Sequence, residues 1–78
     1  MKVTINIQLK AGVLDPAGKA TQHALNTIGF NNIDNVRIGK QIVFDMDTND
    51  SNKAKEEVKK MCEKLLVNSV IEEYEIVL

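Results

Sequence analysis

Val3, Ile5, Ile7 and Leu9 alternate with Thr4, Asn6, Gln8 and Lys10. A period of two predicts a strand with one buried face. Gly12 interrupts it, and Asp15-Pro16 then reads as a helix start. Asp15 is placed to cap the helix, and Pro16 at the first helical position forfeits an N–H that had no partner anyway. The helix is predicted to run to about Ile28, with Ala17, Ala20, Ala24 and Ile28 on one face and Leu25 on its shoulder. Such small residues let a helix sit close to a sheet. Gly29 is placed as the left-handed residue that ends it.

Ile33 to Asp47 reads as extended, because Val36, Ile38, Ile42, Phe44 and Met46 share one parity. A two-residue hairpin turn at Gly39-Lys40 would send Ile42, Phe44 and Met46 to the wrong face. A three-residue turn, or one long strand bent at Gly39, keeps the register, and the long bent strand is the reading preferred here. It leaves Lys40 on the apolar face, so that Lys40 must sit at a rim or meet a partner. Thr48 to Ser51 is a loop of cap-forming side chains. A second helix is expected to about Val67, its apolar stripe made of Ala54, Val58, Met61, Cys62, Leu65 and Leu66. Asn68 is expected as its left-handed cap. Val70 to Leu78 reads as a last strand, with Tyr74, Ile76 and Leu78 on one face.

These elements give a single α+β domain over residues 1–78. Its order is strand, helix, long bent strand, helix, strand. The economical packing is a two-layer α/β sandwich with both helices on one face of the sheet. Were the long strand two strands, the order would be the ferredoxin-like split pattern.

Length sharpens this picture. A chain of 78 residues buries only about 60% of its unfolded surface, so its core is thin. Small domains recover stability from a staple or from another chain. One cysteine and one histidine allow neither an intramolecular disulfide nor a Cys/His zinc site, which leaves self-association. A formal net charge of −1 argues against nucleic acid as a partner, and Phe30, Phe44 and Tyr74 are too few to make a base-stacking surface. No apolar run approaches the roughly 20 residues that span a bilayer. The alternation begins at the first residues, so no signal peptide is expected, and a single free thiol suits a reducing cytoplasm.

Candidate chemistry is sparse. His23 lies off the apolar stripe and lacks the partner and pocket a general base needs. Cys62 lies within the apolar stripe of the second helix, where a thiol is an inert small hydrophobe. The segment from Gly12 to Gly18 has neither phosphate-loop spacing, and Asp15 would repel an anion there. Glu73 and Glu75 share a solvated strand face with no cleft for paired acid–base work. No catalytic, cofactor or metal residue is expected. Arg37 and Lys40 on either side of Gly39 are different: two cations at a bend either guard an edge against aggregation or dock an acidic partner. Arg37, Gly39 and Lys40, with Asp15 and Asn68, are the candidate partner-contact residues.

Several stretches together resemble the PurS family. They are Val3 to Lys10, Gly12-Val13-Leu14-Asp15-Pro16-Ala17-Gly18-Lys19-Ala20, Ala24-Leu25, Gly29-Phe30, Val36-Arg37-Ile38-Gly39-Lys40, and Leu65 to Tyr74. They stand in the family's order and cover nearly the whole chain. Ser69 departs from the family's frequent proline, which bears on the rigidity of a turn. The resemblance implies the non-catalytic small subunit of a multi-subunit phosphoribosylformylglycinamidine synthase of purine biosynthesis. It implies a homodimer that joins a glutaminase subunit (PurQ) to a synthetase subunit (PurL) and supports ammonia transfer. It implies no cofactor on this chain, ATP and magnesium being used by the large subunit. The alternative is a ferredoxin-like dimeric regulatory module that binds a small ligand.

Overall fold

The computed structural model describes residues 1–78. Strand β1 (Lys2–Leu9) is central, flanked by β2 (Lys40–Asp45) and β3 (Glu72–Val77) in the order β2-β1-β3, with both pairings antiparallel. Val3, Ile5 and Ile7 are at most 2% exposed, because they alone have a strand on each side and a helix above. Ile5 faces Ile42 on one strand and Ile76 on the other. The opposite face is polar. There Asn6 accepts from Gln41 at 2.9 Å and donates to Glu75 at 3.3 Å, and Gln8 donates to Glu73 at 2.9 Å.

Helix α1 (Pro16–Thr27) begins and ends as its sequence dictates. Gly29 has φ +106°. Its N–H reaches the Asn26 carbonyl, and the Phe30 N–H reaches the Leu25 carbonyl, at 3.2 and 3.0 Å. This paired closure satisfies carbonyls that the helix leaves open.

Helix α2 (Ser51–Met61) starts at Asp50, whose carboxylate accepts from the N–H groups of Asn52 and Lys53, each at 3.1 Å. It continues into a wider π-type turn, α3 (Cys62–Leu66), closed by Val67 N–H to the Cys62 carbonyl at 3.0 Å. Ala54, Val58 and Cys62, four residues apart, are fully buried against the strands. The predicted stripe is narrower than the sequence suggested. Leu66 packs at the core's edge, while Met61 and Leu65 are 37% and 83% exposed. The π turn adds a residue per turn, which swings Leu65 off the row that faces the sheet.

Three further expectations are corrected. Asn68 does not have a positive φ; the non-glycine residue that does is Asn35, at 52°. Asn68 ends the helical run through its side chain, whose Oδ1 accepts from Val70 N–H at 3.1 Å, and its carbonyl accepts from Ile71 and Glu72. The hairpin at Gly39 is not adopted, yet regular strand begins only at Lys40, since the Ile38 and Val36 N–H groups are taken by the Asp15 and Gln22 side chains rather than by β1. Finally, α2 covers the sheet and α1 does not. Helix α1 packs against no strand or other helix of its own chain, and Ala17, Ala20, Ala24 and Ile28 remain exposed.

The molecule is accordingly long, 48 × 24 × 15 Å, with a radius of gyration of 15.9 Å. A compact chain of this length would measure about 11–12 Å. Only nine of 78 residues are buried, which is the thin core expected from length, made thinner by the absence of α1 from it.

Cys62 is 0% exposed. Burial first, and the neighbouring Glu63 charge second, push its thiol above the ordinary value, so little nucleophilic thiolate forms at neutral pH. Cys62→Ala is expected to cost about 1 kcal/mol in urea denaturation while leaving assembly and activity of the folded protein intact. Loss of turnover at unchanged stability would refute this structural role.

Candidate functional site

The motif residues converge where β1 ends. Asp15 is 4% exposed, and its carboxylate serves two backbones. Oδ1 accepts from Gly18 N–H and Oδ2 from Ile38 N–H, both at 2.8 Å. One side chain thus caps α1 and ties it to the segment entering β2. Gly18 completes the joint: a Cβ there would run into the Val36 carbonyl oxygen and press on the Asp15 carboxylate. Gln22, one helical turn on, accepts from Val36 N–H and donates to Asp34, each at 3.3 Å.

The neighbouring residues lock the same segment to the strand. Arg37 Nη2 donates to the carbonyls of Lys10 at 3.0 Å and Leu9 at 3.5 Å. A Cβ on Gly39 would lie 2.6 Å from the Ile7 carbonyl, so glycine is needed for close approach of two backbones rather than for a hairpin. Lys40 reaches over the end of β1 to Glu72 at 3.4 Å, which is the rim position its parity required. Glu72 also accepts from Asn68 N–H at 2.8 Å, and Lys10 Nζ donates to the Ser69 carbonyl at 2.8 Å. Arg37, Gly39, Lys40, Asp15 and Asn68, chosen from separate stretches of sequence, therefore belong to one region.

Electrostatics fit a joint rather than a reaction centre. The Ile38 and then the Gly18 N–H groups hold the Asp15 carboxyl below its ordinary value; burial opposes them, and Arg37 adds a smaller lowering. A depressed carboxylate contributes stability that is fully present above its unfolded value of about 3.9 and is lost as pH falls through the folded value. Asp15→Asn should therefore flatten the acid side of the stability profile. Urea midpoints at pH 7 and pH 3 would differ less in the variant than in the parent, and an equal difference would dismiss the carboxylate as the source.

No grouping of His, Cys, Asp or Glu is placed to hold a metal ion. His23 is exposed on α1. The largest concavity, about 560 Å³, is an open groove over the polar sheet face, lined by the amide and carboxylate ladder already paired with itself. A smaller one of about 160 Å³ beside Asp15 and Arg37 holds no nucleophile. No helix is long and apolar enough to cross a membrane. The second bond of Asp15 and the contact at Gly18 had no local sequence signal, because both partners lie in the 36–38 segment, some twenty residues away.

Known proteins arranged like this chain agree with one another. The profile of the family described as PurS: Phosphoribosylformylglycinamidine (FGAM) synthase matches residues 2–78. The chain is 51% identical to the phosphoribosylformylglycinamidine synthase subunit PurS of Methanocaldococcus jannaschii, over 96% of this chain and 90% of that one. It is 47% identical to the Bacillus subtilis subunit of the same name, over 94% and 86%. The crystal structure of the M. jannaschii PurS superposes with a TM-score of 0.88 at 50% identity, covering 97% of this chain and 92% of that one. A chain in the structure of PurLQS from Thermotoga maritima superposes with a TM-score of 0.89 at 38% identity, covering 97% and 93%. On the fold, the motif joint and these likenesses together, the chain belongs to the PurS family, the small non-catalytic subunit of phosphoribosylformylglycinamidine synthase.

Proposed function

We propose that this chain is a homodimeric, cytoplasmic assembly subunit that joins the glutaminase subunit (PurQ) to the synthetase subunit (PurL). In this reading the complex converts formylglycinamide ribonucleotide, ATP, glutamine and water into the amidine, ADP, phosphate and glutamate. ATP and magnesium serve the large subunit, and ammonia from the glutaminase reaches it within the assembly. The observation that carries the reading is the likeness to a chain of the PurLQS complex across nearly its whole length. The architecture supports it: motif side chains are engaged in backbone contacts, which suits a scaffold. The relatives named above are synthase subunits, which does not favour the small-ligand regulatory alternative.

Within this reading Arg37 and Lys40 make the contacts, on a segment that Asp15, Gly39 and Asn68 hold in shape. Arg37 is exposed and the Lys40 side chain is 57% exposed, so each retains capacity for an acidic neighbour. An exposed pair such as Lys40–Glu72 is worth only about 0–1 kcal/mol within the chain. Across an interface, removing one member of a desolvated pair costs about 2–5 kcal/mol. The double change Arg37→Ala, Lys40→Ala should weaken assembly far more than it lowers the melting temperature, and wild-type assembly by this variant would remove both residues from the interface.

Omission tests the function as a whole. Mixed with PurL and PurQ, this chain should be required for glutamine-dependent amidine formation. Synthesis by PurL from added ammonia should proceed without it. Full glutamine-dependent activity in its absence would overturn the reading.

A further inference from the structure

Strand β3 has one side on β1 and nothing on the other. Lys10 N–H donates to the Ile71 carbonyl at 2.8 Å. In this antiparallel register the odd-numbered residues of β3 therefore turn their backbone groups towards β1. The even-numbered residues turn theirs outward. The Glu72 N–H is taken by the Asn68 carbonyl at 2.7 Å, so the open edge begins at Tyr74 and continues through Ile76. Such an edge is a template for another strand. Its two sides differ in chemistry. On the polar face Glu73 and Glu75 are exposed, and their hydrogen bonds run to the neutral amides of Gln8 and Asn6, which leaves both charges uncompensated. On the other face a hollow of about 240 Å³ is lined by Cys62, Val67 and Tyr74 together with Glu63, Glu72 and Glu73.

We propose that the outer edge of β3 takes a strand from another polypeptide of the assembly, an extended segment in which cationic residues alternate with apolar ones. This rests on the assembly reading and names a surface and a partner chemistry for it. Backbone bonds at Tyr74 and Ile76 would hold the added strand, and its alternate side chains would read the two faces. Successive side chains of a strand point to opposite faces. The cationic ones then lie beside Glu73 and Glu75, and an apolar one enters the hollow beside Val67 and Tyr74. A second copy of β3 does not suit the site. A two-fold axis at Tyr74 would set Glu73 against the partner's Glu75, and an axis at Glu75 would set that residue against the partner's Glu75. Like charges directly opposite are destabilising. The charges that keep two copies of this edge apart are the ones that select a cationic occupant. The chain thus offers Arg37 and Lys40 on one side of β1 and an acidic edge on the other, which sorts partners of opposite charge.

Hydrogen exchange on the assembly with PurL and PurQ, and a peptide probe on the full chain alone, test it. Alone, the chain should exchange its Tyr74 and Ile76 amides quickly and those of Glu73 and Glu75, bonded to β1, slowly. In the assembly the Tyr74 and Ile76 amides should slow by about a hundredfold or more. A peptide alternating lysine with valine should bind the chain and shift the Tyr74 and Ile76 amide signals most. It should bind about tenfold more weakly to the double variant Glu73→Lys, Glu75→Lys. That variant should instead bind a peptide with glutamate in place of lysine, which the parent does not. Both substituted side chains are exposed, so the core is left intact. Normal assembly with Tyr74 and Ile76 unprotected overturns the docking edge and leaves the assembly reading standing. Peptide shifts that avoid these two residues, or binding unmoved by the charge reversal, make the glutamates edge guards and overturn the proposal. Protection of the same two amides as the concentration of the chain alone rises makes the occupant a second copy, and overturns it too. Failure of PurL and PurQ to assemble with this chain overturns the assembly reading, and the peptide then decides the edge by itself.

Discussion

Ile5→Ala is expected to bring the chain close to its unfolding limit. Ile5 is fully buried at the centre of the middle strand, between Ile42 and Ile76 and beneath α2. Truncating such a side chain removes its transfer free energy and leaves a cavity, at a cost of about 2–5 kcal/mol. Total stability for a chain of this length is about 4–12 kcal/mol, and with nine buried residues the lower part of that range applies to an isolated protomer. Few neighbours are available to collapse into the gap, because the strands on either side fix the backbone. Urea denaturation should show the loss directly. A cost below about 1 kcal/mol would mean that the sheet centre is not where the stability resides.

Gly18→Ala is the second large effect, and its mechanism differs. Alanine is normally the better helix residue by about 1 kcal/mol, so a helix-propensity argument expects stabilisation. The structure reverses the sign. The new methyl would meet the Val36 carbonyl oxygen and the Asp15 carboxylate, and neither is a flexible side-chain end. Either the arm formed by residues 36–38 moves away or the cap on α1 opens, and both outcomes break the bond from Ile38 N–H to Asp15. Overpacking of this kind costs about 1–3 kcal/mol. Because the arm and α1 would detach together, assembly with the other subunits should fall along with the melting temperature. A variant that is more stable than the parent would show that α1 and the arm are not held together at this point.

What the sequence disclosed and what it withheld follow from the range of the interactions. The cap at Asp15, the closure at Gly29 and the alternation of β1 are set by residues within one turn or one pleat, so they stand in the structure as the pattern required. The parity of Val36 to Met46 spoke against a two-residue hairpin at Gly39 but not against a three-residue turn, and the structure has no hairpin there. Lys40 on the wrong face correctly called for a rim position, and Glu72 meets it there. The placement of α1 was not legible, because an apolar stripe does not state what, if anything, lies against it. Leu65 was misassigned because periodicity assumes a regular α-helix, and nothing local marked the π turn at Cys62. Asp15 was legible as a cap and not as a clamp, since its second partner is Ile38. Arg37 and Gly39 were picked out by charge and position alone. Their contacts with Lys10, Leu9 and Ile7 depend on where β1 ends in space.

In the proposed function this chain works by joining two other subunits, with no chemistry of its own. Sedimentation of PurL and PurQ, with and without this chain and under the conditions of glutamine-dependent synthesis, tests that claim most directly. PurQ should sediment with PurL only when this chain is present. Equal association of PurQ with PurL in its absence would contradict the claim.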